Sequence, residues 1–248
     1  MFVCKEFGTD NLIYRSFERI AINRAYVRTQ DYPNDPNNLL TITREDVLRD
    51  MKAMEAEILS IGRELMEKGK DLKTIKAEYS IAGQSVTRNC IEAVLSERYG
   101  FFDIALAGRK AKNVTLRMYY GGQVNGTSGN AFQHAYWNAE MTNRAGADIA
   151  KLFGDAHEFG LDMSEIEYLS DLENNMRGRE AAINGMGSAK DIENMVNEGR
   201  LVQYPYQGRI DDNGEWLPGL EQILPTDGNA SYVLHPDLPP NDPPDQLY

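Results

Sequence analysis

Histidine and cysteine are scarce in this chain, with three and two copies in 248 residues. The cysteines, Cys4 and Cys90, can build neither a disulfide framework nor a thiolate zinc centre, so both are read as free thiols. Long apolar runs are missing too: none approaches the ~18 residues of a membrane span. The opening stretch, MFVCKEFGTD, lacks the apolar core of a signal peptide. The expectation is therefore a cytoplasmic chain, or one exported by a route not encoded in it. Positive charge is in deficit: 26 Lys and Arg stand against 38 Asp and Glu, a net charge of -12. Such a chain does not attract a phosphate backbone, which argues against nucleic acid and anionic membranes as partners. The two basic runs, RKAK at 109–112 and KGKDLKTIK at 68–76, are short and interrupted, and read as solvated helix faces.

What is present is enough to build a core. The length fits one domain or one domain with an appended segment, and 42% apolar with 26% charged residues is ordinary globular composition. Helical spacing begins with Phe17, Ile20, Ala21 and Ala25. The segment DYPNDPNN at 31–38 is a loop by its prolines and Asx residues. Thr43 then caps a helix whose buried stripe is Val47, Met51, Met54, Ile58, Ile61 and Met66, with Gly69 as its stop. Residues 71–79 and 85–99 read as further helices. NVTLRMYY at 113–120 alternates and carries β-favouring residues, so it is predicted as a strand.

The glycine-rich GGQVNGTSGN at 121–130 has no lysine and cannot be a P-loop; its glycines let backbone pass close to the start of a helix over 131–153. A helix over 164–184 opens with the Ser164/Glu167 capping box and stops at Gly185. Ser188 and Asp191 open another that stops at Gly199. A hairpin around Asp212-Asn213-Gly214 follows, with Trp216 as core, and then a Pro/Asp tail at 236–245 that cannot fold by itself and holds His235 at its entrance. The predicted architecture is mainly α: a helical, bundle-like domain over 1–202 with a small β element and a motif core at 121–184, then a hairpin and tail over 203–248.

Two of the three histidines stand in dense polar motifs. On a helix, His134, Trp137, Asn138 and Met141 share one face, with small Ala135 and Ala139 beside them. Asp171, Asn174, Asn175, Gly178 and Arg179 share one face of the later helix. Gly178 costs about 1 kcal/mol there relative to alanine, a cost that often accompanies close backbone approach. The simplest packing sets the Gly178 face on the His134 face, with His157 and Glu158 at the end of the segment between.

Three chemistries use this set. His134, His157 and Asp171 could bind a divalent metal such as zinc, since imidazole and carboxylate suit it. Alternatively a histidine acts as general base oriented by Asp171, with Arg177 or Arg179 and the amides stabilising an anion. Or Asn138, Glu158, Asn174, Asn175 and Arg179 hold a polar ligand without chemistry. The chain has neither HExxH nor GxSxG, and no serine or cysteine nucleophile stands out. Against all three is the bland reading: a helix histidine beside a tryptophan is usually a satisfied core residue, Asn174 and Asn175 cross-link helices, and Arg177 and Arg179 pair with Glu173 and Glu180 at the surface.

HAYWNA at 134–139, GDAHE at 154–158 and DLENNMRGR at 171–179 together resemble an uncharacterised bacterial family of unknown function, whose pattern runs D-A-F-R-H-A-Y-W-N-A, A-H-E, D-L-x-N-N-x-x-G-R. The resemblance covers about a quarter of the chain. It implies a secreted or toxin-like context, hence a hydrolytic effector and a cognate protein partner. The polar positions it matches are His134, Asn138, His157, Glu158, Asp171, Asn174, Asn175 and Arg179. The chain departs from the pattern at Asn130, where the family has an acid, and at Gln133, where it has an arginine; if that acid is catalytic or binds metal, this copy is weakened. The leading expectation is a hydrolase-like domain centred on His134, His157 and Asp171 and supported by Asn138, Asn175 and Arg179. The alternative is a non-enzymatic helical interaction or structural protein whose motifs form a buried packing network.

Overall fold

The computed structural model describes residues 6–9, 11–29, 33–70, 78–81, 84–87, 89–119, 126–161, 165–204, 209–210, 216–217 and 222–227. The fold is mainly α-helical. The described helices are α1 (Leu12–Thr29), α2 (Arg44–Glu67), α3 (Cys90–Tyr99), α4 (Phe102–Met118), α5 (Ser128–Ala145), α6 (Ala147–Phe159), α7 (Glu165–Ile183) and α8 (Ala189–Asn197). Short strands pair antiparallel: β1 (Glu78–Ile81) with β2 (Gln84–Thr87), β3 (Val202–Gln203) with β6 (Leu224–Pro225), and β4 (Arg209–Ile210) with β5 (Trp216–Leu217). The last pair agrees with the strands of the expected hairpin; its turn at Asp212-Asn213-Gly214 lies outside the described residues. The Pro/Asp tail, His235 and the side chain of Trp216 lie outside what is described.

Two compact units interleave along the chain. The first comprises Met1–Asp31, Thr43–Ala105 and Leu152–Met163; the second comprises Tyr32–Ile42, Leu106–Lys151 and Ser164–Tyr248. In the first, α1, α2 and α3 pack on one another. The buried side of α1 is Leu12, Ile13, Ser16, Ile20, Asn23 and Val27, so Ala21 and Ala25 face outward instead. The stripe on α2 holds from Val47 to Ile61, but Leu65 and not Met66 completes it, because the 3.6-residue period places position 65, four after Ile61, over the core.

Thr43 opens α2 as expected. Its hydroxyl accepts from the Asp46 backbone N–H at 3.2 Å, and the Asp46 carboxylate accepts from the Thr43 N–H at 3.0 Å. Hydrogen bonds from Thr43, and then from Arg49, hold the Asp46 carboxyl down at about 2. Replacing Thr43 by alanine is expected to cost about 1 kcal/mol, read as a fall in thermal midpoint. A carboxyl whose pKa is depressed on folding stabilises the fold above its unfolded value and loses that contribution as pH falls through the folded one. The mutant's deficit should therefore be full at neutral pH and shrink as pH drops from 3.8 towards about 2. A deficit independent of pH over that range would refute the reciprocal cap.

Two sequence expectations about the middle of the chain are overturned. Of the strand predicted over 113–120, residues 113–118 are the end of α4. Ile104, Ala107, Ala111, Val114 and Met118 recur at three- and four-residue intervals and are all buried. A helical stripe that begins ten residues upstream outweighs the local β preference of Val114, Thr115 and Tyr119. Conversely, Glu78–Ile81 and Gln84–Thr87, which touch the helices expected over 71–79 and 85–99, form a β pair; residues 71–77 lie outside the described residues. The second helix starts only at Cys90, where Asn89 and Glu92 form a capping box. The helix expected over 131–153 begins earlier, at Ser128 behind the cap Thr127, and stops at Gly146, whose φ of 90° suits glycine. The chain then continues as α6.

In the second unit, α5 packs along α7, with α8 beside them. The core between them includes Ala111, Val114, Phe132, Tyr136, Ile192, Val196 and Leu201. The Phe132 ring lies 5.2 Å from Tyr119 and 5.5 Å from Tyr136, centroid to centroid. At Gly126, just before α5, a Cβ would lie 2.1 Å from the carbonyl oxygen of Tyr204, whose N–H donates back to the Gly126 oxygen at 2.9 Å. This is the close backbone passage that the glycine-rich stretch leads one to expect.

Candidate functional site

Helices α5 and α7 approach so closely that Gly178 has no room for a side chain: a Cβ there would sit 2.0 Å from the Ala135 carbonyl oxygen. Small residues on one helix and glycine on the other bring two polar faces within direct hydrogen-bond reach. Here the sequence spacing and the structure agree, and the contact sets up everything that follows.

The His134 ring is held on both sides. Its Nε2 lies 3.6 Å from Asp171 Oδ1, and its Nδ1 lies 3.3 Å from Asn175 Oδ1. Asn130 Nδ2 donates to the same Asp171 oxygen at 3.1 Å. Asn138 Nδ2 donates to Asn175 Oδ1 at 2.5 Å and to the His134 carbonyl at 3.2 Å. Arg179 Nη1 donates to Asn138 Oδ1 at 2.8 Å. Asn138 and Asn175 are fully buried and Asp171 and Arg179 nearly so, while 11% of the His134 side chain stays exposed. Burial of this many polar groups is tolerable because they satisfy one another.

Not every residue on the two predicted faces joins this network. Trp137 turns from it to lie over Gly108 of α4. Asn174 faces β3, donating to the Val202 carbonyl and accepting from the Val202 N–H, each at 2.9 Å. Arg179 is not a surface partner of Glu180 but part of the network. Arg177 does pair with Glu173, at 2.8 Å, but Glu173 is fully buried and Arg177 only partly exposed. Glu173 also accepts from the Thr41 and Ile42 N–H groups and from the Thr41 hydroxyl. Arg177 in turn donates to the carbonyls of Leu39 and Arg200. Periodicity places a residue on a helix face but does not say which neighbour that part of the face meets.

His157 and Glu158 belong to the first unit. His157 Nδ1 stands 3.2 Å from Glu92 Oε1, and 36% of its side chain is exposed. Asn89 and Asn23 donate to the last carbonyls of α6: Asn89 to Ala156 and His157, Asn23 to Phe159 and, just beyond, Leu161. These amides satisfy acceptors that a helix end otherwise leaves open. Glu158 is fully buried. Glu92 and Asn89 are not candidates from the motifs; the one signal for them is their match to the capping-box pattern before an apolar run. Asn130 is marked by the motif only as the place of an acid, and it donates to Asp171.

Residues 91–200 match the model of a family described as a domain of unknown function, DUF6973. The match takes in the whole His134 network and less than half of the chain. No curated protein and no solved structure matches the chain. Among the described residues, no helix is long and apolar enough to cross a membrane.

Proposed function

We propose that the chain is a hydrolase-like enzyme in which His134 and Asp171 form the acid–base pair and Asn138, Asn175 and Arg179 hold the imidazole. The observation behind this reading is the His134 ring itself: a carboxylate 3.6 Å from one nitrogen and an amide oxygen 3.3 Å from the other. Proton transfer by a side chain requires a fixed ring, a charged partner and some access to solvent, and His134 combines these. In keeping with the motif resemblance, we extend the proposal to a secreted, toxin-like effector with a cognate protein partner.

A second reading rests on a different observation, the near-complete burial of Asn138, Asn175, Asp171 and Arg179. It makes the network a packing device of a non-enzymatic protein.

The two readings separate on His134→Gln and Asp171→Asn, each measured for thermal midpoint and for turnover of chromogenic carboxyl esters, phosphomonoesters, phosphodiesters and peptide amides. The enzyme reading expects one of these classes to be turned over by the wild type and slowed about 10²–10⁴-fold in folded His134→Gln, the usual worth of a positioned acid or base. Wild-type protein that turns over none of them, with both variants strongly destabilised, would support the packing device instead.

A further inference from the structure

Helix α1 differs in charge from the chain that carries it. The chain has a net charge of -12, yet α1 holds four arginines, Arg15, Arg19, Arg24 and Arg28, against one acid, Glu18. Arg24 turns to α2 and pairs with Glu55 at 2.5 Å. Arg15 and Arg28 are exposed and Arg19 is half-buried. Positions 15, 19, 22 and 26 share one face of a helix. Two arginines therefore lead along α1 to Ile22 and Tyr26, of which 53% and 37% stay exposed.

A third apolar side chain lies beside them. Asn23 donates to the Leu161 carbonyl at 3.0 Å, and this holds Leu161, itself 37% exposed, next to α1. Ala21 and Ala25 are exposed too, and their small side chains let another helix come close. Single exposed apolar residues are ordinary, whereas a cluster rimmed by charge marks an interaction site. Arginine and tyrosine are also the residue types that anchor such sites.

The charges select the occupant. A second copy would set four more arginines against the same face, and like charges across an interface oppose binding. An anionic membrane or a nucleic acid extends well beyond the about 27 Å of an 18-residue helix. It would run into the acidic remainder of the chain. A short acidic element of a protein meets α1 alone.

We infer that the outward face of α1 docks an acidic, amphipathic helix of a partner protein. The partner's apolar side chains cover Ile22, Tyr26 and Leu161, and its carboxylates face Arg15 and Arg19. This gives the cognate partner of the proposed effector a place and a chemistry, and in that identification it rests on the effector reading. The surface itself does not: α1 precedes residues 91–200, which match the family model, and carries no member of the His134 network.

The probe is a synthetic helical peptide with leucines at i, i+4 and i+7 and glutamates over the two adjoining turns. Its binding to the full chain is followed by fluorescence anisotropy, beside a counterpart with lysine for every glutamate. The glutamate peptide should bind saturably and the lysine peptide at least about tenfold more weakly. Arg15→Glu and Tyr26→Ser, both at exposed positions, should each weaken the glutamate peptide about tenfold. Lys190→Glu makes the same change in net charge at an exposed position of α8 and should leave binding unchanged.

No binding, equal binding of the two peptides, or an equal loss in Lys190→Glu overturns the inference. So does a wild-type dimer in sedimentation that Ile22→Ser dissociates, or binding to phosphatidylserine vesicles, lost in Arg15→Glu, where the peptide does not bind. His134→Gln should bind the glutamate peptide as wild type does. Peptide binding without turnover of any substrate class keeps this surface and removes the enzyme; turnover without peptide binding removes only the surface.

Discussion

Gly178→Ala is expected to destabilise the protein although it improves local helix propensity. In an open helix the change would gain about 1 kcal/mol. Here the new Cβ would lie 2.0 Å from the Ala135 carbonyl oxygen and 2.6–2.7 Å from its carbonyl carbon and Cα. These are backbone atoms, so no rotamer change relieves the clash, and α5 and α7 must move apart. Packed interiors absorb such a shift poorly, and overpacking of this kind costs about 1–3 kcal/mol or more.

The net loss is expected to be about 2 kcal/mol, with the Asn138–Asn175 and His134–Asn175 contacts lengthened as the helices separate. Gly108→Ala is the control. It also lies inside a helix, but its Cβ would meet only the Trp137 side chain, at 3.4 Å, so it should be neutral or mildly stabilising. Denaturant unfolding of both variants checks the pair. Equal stability of Gly178→Ala and wild type would mean that the helices do not meet at this point.

The second large effect is expected at Glu173. Its carboxylate is completely buried and accepts from the Thr41 and Ile42 backbone N–H groups at 2.9 and 3.0 Å, from the Thr41 hydroxyl at 2.9 Å, and from Arg177. Removing it as Glu173→Ala strands the Arg177 guanidinium and two backbone donors. Deleting one member of a buried ion pair costs about 3–5 kcal/mol, because the remaining charge has lost its compensation; Arg177 keeps some solvent contact, which places the expected loss at the lower end of that range.

Glu173→Gln keeps one acceptor oxygen and should lose less. Amide hydrogen exchange gives a local readout: the Thr41 and Ile42 amides should exchange much faster in Glu173→Ala than in wild type. A loss below about 1 kcal/mol, the range of exposed pairs, would refute the buried role of Glu173. From the sequence, Glu173 reads only as the surface partner of Arg177, since nothing local shows that residues 39–42 return to this helix.

Much of the helical framework was determined by the sequence alone. Thr43, Ser188, Gly185 and Gly199 each act within four residues along the chain, through cap hydrogen bonds or a left-handed turn, so their effect is visible without a fold. The meeting of the His134 and Gly178 faces was legible for a similar reason. Periodicity fixes a face, and a glycine in mid-helix has a cost that close approach accounts for.

Tertiary structure decided where two local signals conflict or where partners are distant in sequence. Residues 113–118 carry strand-favouring side chains, yet the burial stripe running from Ile104 holds them in a helix. Asn174 and Asn175 are adjacent in sequence, but one meets β3 and the other His134, because a helix turns about 100° between neighbours and the packing around it differs on each side. The hydrogen-bonded path from Arg179 through Asn138 and Asn175 to His134 exists only where α5 and α7 touch. Hydrogen-bond direction is set by which atoms face each other across that contact, and no spacing along one chain segment encodes it.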